Sequence, residues 1–159
     1  MILYHGSYTE IECPDISFSR DKLDFGKGFY VTPIFEQAKN WASRFLKRNK
    51  NAIVNSYDFF DELNLCKVWL FDKYTEEWLD FITNCRRGES PDEIYDIIIG
   101  GVANDKVFDT IEEYAQGYKT KEEAIKKLRM ELPNLQYCFR KQNIINDFLH
   151  FAGSEEIHN

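Results

Sequence analysis

Short apolar runs of strand character and longer amphipathic segments follow one another in this chain without a repeating strand–helix–strand rhythm, and that irregularity limits its fold most. A doubly wound parallel sheet needs the rhythm, so the pattern points to an α+β domain. Ile2 to His5 reads as a first strand ahead of the Gly6-Ser7 breaker, followed by a polar loop through Pro14 and Asp15 to about Asp24. Gly28 to Val31 reads as a second strand. Thr32 then caps a helix that begins at Pro33 and carries Ile34, Ala38, Trp41, Ala42, Phe45 and Leu46 inward, with Lys47 and Arg48 in its last turn. Ala52 to Phe60 and Cys66 to Phe71, separated by Asp61, Glu62 and Asn64, read as two more strands or a hairpin. Thr75 opens a helix with Trp78, Phe81, Ile82 and Cys85 on its apolar face and a stop at Gly88. After Pro91, the run from Tyr95 through Ile97, Ile98 and Ile99 to Gly100-Gly101 is a buried strand. Asp105 caps a helix bearing Phe108, Ile111, Tyr114 and Ala115. Thr120-Lys121-Glu122-Glu123 has the form of a capping box for another, with Ile125, Leu128 and Leu132 inward and a stop before Pro133. Gln136 to Phe139 is a late strand, and Ile144, Ile145, Phe148 and Leu149 mark a final helix.

With 159 residues, of which 43% are apolar and 16% aromatic, the chain has material for one packed domain over residues 1–159, which excludes disorder. A net charge of −7 repels phosphate backbones, so nucleic acid is disfavoured as a partner unless basic residues cluster locally. No run approaches the ~20 apolar residues of a membrane span, and the start Met-Ile-Leu-Tyr-His lacks the form of a signal peptide. The expectation is a cytoplasmic protein. Cys13, Cys66, Cys85 and Cys138 are scattered without metal-ligand spacing, so no metal is expected and the four are read as small buried hydrophobes.

Several enzyme classes lose their usual support. The chain has no phosphate loop ending in Lys-Ser or Lys-Thr, no paired-histidine metal helix and no G-x-S-x-G elbow. Asp24-Phe25-Gly26 copies the kinase magnesium motif by chance, since the catalytic-loop His-Arg-Asp is missing. The informative stretches are Leu3-Tyr4-His5-Gly6-Ser7 and Asp24-Phe25-Gly26-Lys27-Gly28-Phe29-Tyr30-Val31-Thr32. A histidine at a strand end followed by Gly and Ser leaves backbone open to a planar ligand, and Gly-x-Gly-Phe-Tyr sets an aromatic ring beside flexible backbone. Together they suit a cleft that grips an aromatic, polar group such as a nicotinamide.

These two motifs, with Tyr95-Asp96-Ile97-Ile98-Ile99-Gly100-Gly101 and the late Leu135-Gln136-Tyr137-Cys138-Phe139, resemble a bacterial family of unknown function in the ADP-ribosyltransferase-like superfamily. The resemblance spans nearly the whole chain and is to the branch with a His-Tyr-acid triad, that of diphtheria-type toxins and poly(ADP-ribose) polymerases. It implies a split, two-sheet α+β fold with NAD folded into a central cleft. It also implies that His5 bonds a ribose hydroxyl, that the Gly6 backbone holds the nicotinamide carboxamide, and that Tyr30 stacks on the ring. Gln136 occupies the place of the triad acid. The resulting catalytic set is His5, Tyr30 and Gln136, and the NAD-binding set is His5, Gly6, Ser7, Arg20, Gly28 and Tyr30. In the family pattern the acid binds the ribose 2′-hydroxyl and stabilises the charge that develops as nicotinamide leaves; Gln136 can make the hydrogen bonds but brings no charge.

Simpler roles stand beside these. His5 is also what a hydrogen-bonded core histidine looks like, and Gln136 what an ordinary strand residue looks like. Arg20 reads equally as a pyrophosphate donor or a solvated arginine, Asp105 as a plain cap, Trp41 and Trp78 as core, and Lys47, Arg48 and Lys50 as a basic helix end. The expected function is NAD-dependent mono-ADP-ribosyl transfer, the chain being the toxin of a toxin–antitoxin pair, with a protein acceptor favoured by the acidic surface and a small antitoxin as partner. The alternatives are a catalytically silent NAD- or protein-binding module and an NAD glycohydrolase.

Overall fold

The computed structural model describes residues 1–60, 63–89, 94–103, 105–128 and 134–158. Strands β1 (Ile2–Ser7), β3 (Ile53–Phe59) and β7 (Leu149–Glu156) form an antiparallel sheet in the order β1-β3-β7. Strands β2 (Phe29–Val31), β4 (Val68–Leu70), β5 (Ile97–Gly100) and β6 (Gln136–Phe139) form a second sheet in the order β2-β6-β5-β4, parallel only between β4 and β5. Around them lie α1 (Phe35–Ser43), α2 (Glu76–Arg86), α3 (Asp105–Ala115), α4 (Lys121–Leu128) and α5 (Gln142–Phe148). The α+β class and five helices among the described residues match the sequence pattern, and the two sheets match what the resemblance implies. None of these helices is long and apolar enough to cross a membrane.

Alternation along the strands builds the layers. Leu3, Tyr57 and Phe59 face inward from the first sheet and meet Phe29, Val31, Ile97, Ile99, Tyr137 and Phe139 of the second, with Ile144 and Ile145 of α5 closing the cluster. The opposite face of the second sheet, through Ile98 and Cys138, packs on Trp78, Leu79 and Ile82 of α2, Ile111 of α3 and Leu128 of α4. The outer face of the first sheet carries Val54, against which α1 lays Ala38 and Ala42. Gly6 permits that contact: a Cβ there would stand 2.3 Å from the Ala38 carbonyl oxygen and 2.9 Å from the Ala42 nitrogen.

Local chemistry sets the ends of α2. The Thr75 side chain accepts from the Trp78 N–H, Glu76 and Glu77 occupy the first turn, and Arg86 the last. Such a cap stabilises a helix by about 1 kcal/mol. Gly88 then stops the chain with φ +84°, a left-handed conformation that costs glycine little.

Several expectations are corrected. Of the two readings of Ala52–Phe60 and Cys66–Phe71, two strands hold and the hairpin does not, since β3 and β4 belong to different sheets. The first long helix begins at Phe35, because the Thr32 hydroxyl turns back to accept from the Ile34 N–H, and it ends at Ser43. Leu46–Arg48 is a separate single turn closed by Asn49 at φ 55°. Trp41, expected in the core, is 47% exposed, since the small pair Ala38 and Ala42 provides the buried contact of α1. Trp78 is fully buried as expected. Cys13 is exposed and Cys66 half-buried, so only Cys85 and Cys138 behave as core thiols, with burial pushing both up to about 12. The strand β7 was absent from the sequence pattern. The separators Asp61 and Glu62, and Pro91, Leu132 and Pro133, lie outside the described residues, as does the side chain of Asp105.

Candidate functional site

The two sheets are stitched at one isolated bridge, where the Tyr4 and Thr32 backbones exchange hydrogen bonds of 2.8 and 2.9 Å. Residues along an antiparallel strand turn their N–H and C=O alternately to one neighbour and the other. Met1 accepts from Phe59 on the β3 side while Tyr4 faces β2, so Gly6 also presents its N–H and C=O toward β2. Past the bridge no further backbone hydrogen bond joins β1 to β2 among the described residues. A fork therefore opens between the Gly6 backbone and Tyr30.

His5 sits beside this fork, on the inner side of the first sheet. Its ring stacks on Phe29 with centroids 4.5 Å apart, and Nδ1 lies 2.7 Å from the Tyr30 carbonyl oxygen. A carbonyl only accepts, so Nδ1 carries the proton. Burial lowers the pKa of the imidazole, against the Tyr30 hydrogen bond, which raises it. The neutral ring thus keeps Nε2 as an acceptor. Ser7 is buried, with its hydroxyl accepting from Thr9 N–H at 3.4 Å.

Tyr30 points to the other face of the second sheet, as Cys138 does opposite it. Its ring lies parallel to Phe25 at 6.4 Å, and its hydroxyl donates to the Gly26 carbonyl and accepts from Phe25 N–H at 3.0 Å. Burial is the main reason its pKa stands well above the ordinary tyrosine value. His5 and Tyr30 therefore meet through a ring nitrogen and a main-chain oxygen. Gly28 gives its N–H to the Ser19 hydroxyl at 3.0 Å and packs so tightly on β6 that a Cβ would lie 2.5 Å from Cys138 Sγ. Arg20 is exposed on the preceding loop.

Gln136 opens β6 on the same face as Cys138 and Tyr30, 8% exposed. Its Nε2 donates to Asp24 Oδ2 at 3.1 Å and to the Gly101 carbonyl at 3.4 Å. Both partners accept only, which fixes the amide's orientation and leaves Oε1 without a partner among the described residues. Asp24 is the residue that the sequence reading missed. Arg86 Nε and Nη2 donate to its Oδ1 at 3.0 and 2.6 Å, and the Ala103 N–H donates to its Oδ2 at 3.0 Å. Arg86 in turn lies over the Phe108 ring at 4.5 Å. An acid thus stands one hydrogen bond from Gln136, with its charge offset by Arg86. Its one sequence signal was an aspartate heading the Asp24-Phe25-Gly26 motif.

A cavity of about 410 Å³ opens elsewhere, beside the loop of Gly26, lined by Ile16, Lys27, Cys85, Tyr95, Arg140 and Lys141 among others. None of His5, Gly6, Ser7, Tyr30 or Gln136 lines it. No group of three or more His, Cys, Asp or Glu among the described residues is arranged to hold a metal ion.

Residues 1–151 match the model of a family described as "Protein of unknown function (DUF3990)". Nothing among curated proteins and nothing among solved structures matches the chain.

Proposed function

We propose that this chain, which belongs to the DUF3990 family, is an NAD-dependent mono-ADP-ribosyltransferase that works at the fork between β1 and β2. The observation that supports this most is the pairing of the outward Gly6 N–H and C=O with a neutral His5 whose Nε2 is an acceptor without a partner among the described residues. A carboxamide needs one donor and one acceptor on a flat edge, as the Gly6 backbone offers. A ribose hydroxyl needs an acceptor beside it, as His5 offers.

In this scheme Tyr30 orients His5 through its carbonyl oxygen, its ring being turned to the other face against Phe25, and Gln136 Oε1 is the acceptor for the ribose 2′-hydroxyl. Ser7, Arg20 and Gly28 border the remaining parts of NAD. The C1′–N bond breaks and its electron pair leaves with neutral nicotinamide. The acceptor's nucleophile then bonds to C1′ and releases its proton. Held partners contribute orientation, while the Asp24 carboxylate contributes little field because Arg86 neutralises it. The acceptor is a macromolecule, and the activity is that of a toxin held in check by a small antitoxin partner.

A second reading, a catalytically silent NAD-binding module, is favoured by one observation, the uncharged Gln136 in the acid's place. Incubating the purified protein and a His5→Ala control with labelled NAD and bacterial lysate separates the two. Nicotinamide release with label on a macromolecule, lost in the control, is the expected result. Free ADP-ribose alone would make the protein a glycohydrolase. NAD binding without release would leave the silent module, and failure to bind NAD would remove both.

A further inference from the structure

The basic residues of this acidic chain are unevenly placed. Arg44, Lys47, Arg48 and Lys50 fall within seven positions that hold no acidic residue. Removing those four from the 20 basic side chains leaves 16 against 27 acidic ones, a net of −11 for the remainder. All four are exposed, and Lys47, Arg48 and Lys50 make no ion pair among the described residues. Aromatic rings are interleaved with them. Arg44 lies 4.7 Å over the ring of Trp41, and Lys50 lies 4.2 Å over the ring of Tyr8; each ring is 47% exposed. Phe45, next in sequence to Arg44, touches Tyr8 edge-on at 5.4 Å. The result is a cationic patch with stacking faces, beginning where β1 ends and gathered at the C-terminal end of the helix seated on Gly6.

We infer that this patch binds single-stranded nucleic acid, with phosphates on Lys47, Arg48, Lys50 and Arg44 and bases against Trp41 and Tyr8. A folded acidic protein would use the cations, but it has no need of two exposed rings each held beside a cation. Unpaired bases stack on such rings, and a backbone of regularly spaced phosphates fits a cluster of cations. The net charge, which disfavours polyanions for the molecule as a whole, does not describe this face. Bound there, a strand would lie beside the fork where the proposed transfer occurs, which makes nucleic acid the acceptor class.

The test uses the full chain without NAD, so that its failure is distinct from failure of the NAD reading. Fluorescence anisotropy with 5′-labelled twelve-nucleotide RNA and DNA strands measures affinity at several salt concentrations. Binding is expected with a log–log salt slope of about −2 to −3, as three to four phosphate contacts on a single strand give. Lys47→Glu with Arg48→Glu should weaken binding by at least about tenfold and flatten the slope. Trp41→Ala, a change at an exposed site, should weaken it roughly tenfold with little change in slope. Absence of binding at about 50 mM salt would overturn the inference. So would equal competition by polyglutamate together with unchanged affinity of Trp41→Ala, which would assign the patch to acidic protein partners.

Discussion

Gln136 and Asp24 share a hydrogen bond that only works with an amide on one side. A carboxyl introduced as Gln136→Glu would face the Asp24 carboxylate across about 3 Å and would lose the donor that Gln136 supplies. The expected result is a loss of about 2 kcal/mol at pH 7, or roughly 4–8 °C in Tm for a chain of this size. The sign follows from like-charge repulsion: the introduced carboxyl holds its proton more tightly when folded, so the deficit should shrink as pH falls toward 5. Adding Asp24→Asn should remove the repulsion and its pH dependence but not the loss of stability, because its amide nitrogen would face Arg86 or the Ala103 N–H, both donors, as paired melts of the single and double variants would show. His5 has the opposite dependence. Its pKa is lowered by burial, so it stabilises fully above about pH 6.5 and loses that contribution as pH falls through the lowered folded value. His5→Asn should therefore flatten the acid limb of a Tm-against-pH curve between pH 7.5 and 5.

At the scale of elements, α1 is held by small residues at close range. Gly6→Ala would drive a methyl group into the Ala38 carbonyl, and a backbone atom cannot swing aside as a side chain can. A loss of about 3 kcal/mol is expected in denaturant melts. Trp41→Ala should fall within about 0.5 kcal/mol of the parent, whereas Trp78→Ala should cost about 3–5 kcal/mol, because only Trp78 is buried. The contrast shows how far local pattern reaches. Helix α2 was legible from Thr75 to Gly88 because cap, apolar stripe and stop agree there. The exposure of Trp41 was not, since a helix that approaches through alanines has no room to bury a ring beside them. Strand β7 escaped because Leu149-His150-Phe151-Ala152-Gly153-Ser154 has weak alternation, and its place on the sheet edge asks little of its side chains. Its pairing also carries an irregularity at Ser56 and Tyr57, and Gly153 adopts φ +146°.

For the whole molecule, the α+β class and the two motifs were readable, because strand ends and glycines punctuate a sequence locally. The meeting of Asp24, Arg86 and Gln136 was not, since these residues are 62 and 112 positions apart and only the packing of α2 on the second sheet unites them. The same limit applied to the cationic patch, whose Tyr8 joins Lys50 only once β1 lies beside α1. A different consequence follows from the isolated bridge between Tyr4 and Thr32. Two sheets joined by a single exchanged pair of backbone hydrogen bonds have a natural axis for breathing. The amide protons of those two residues time that motion. They should exchange with deuterium sooner than the ladder amides of β3 or β6, and a molecule lodged between the strands should slow them without slowing the rest.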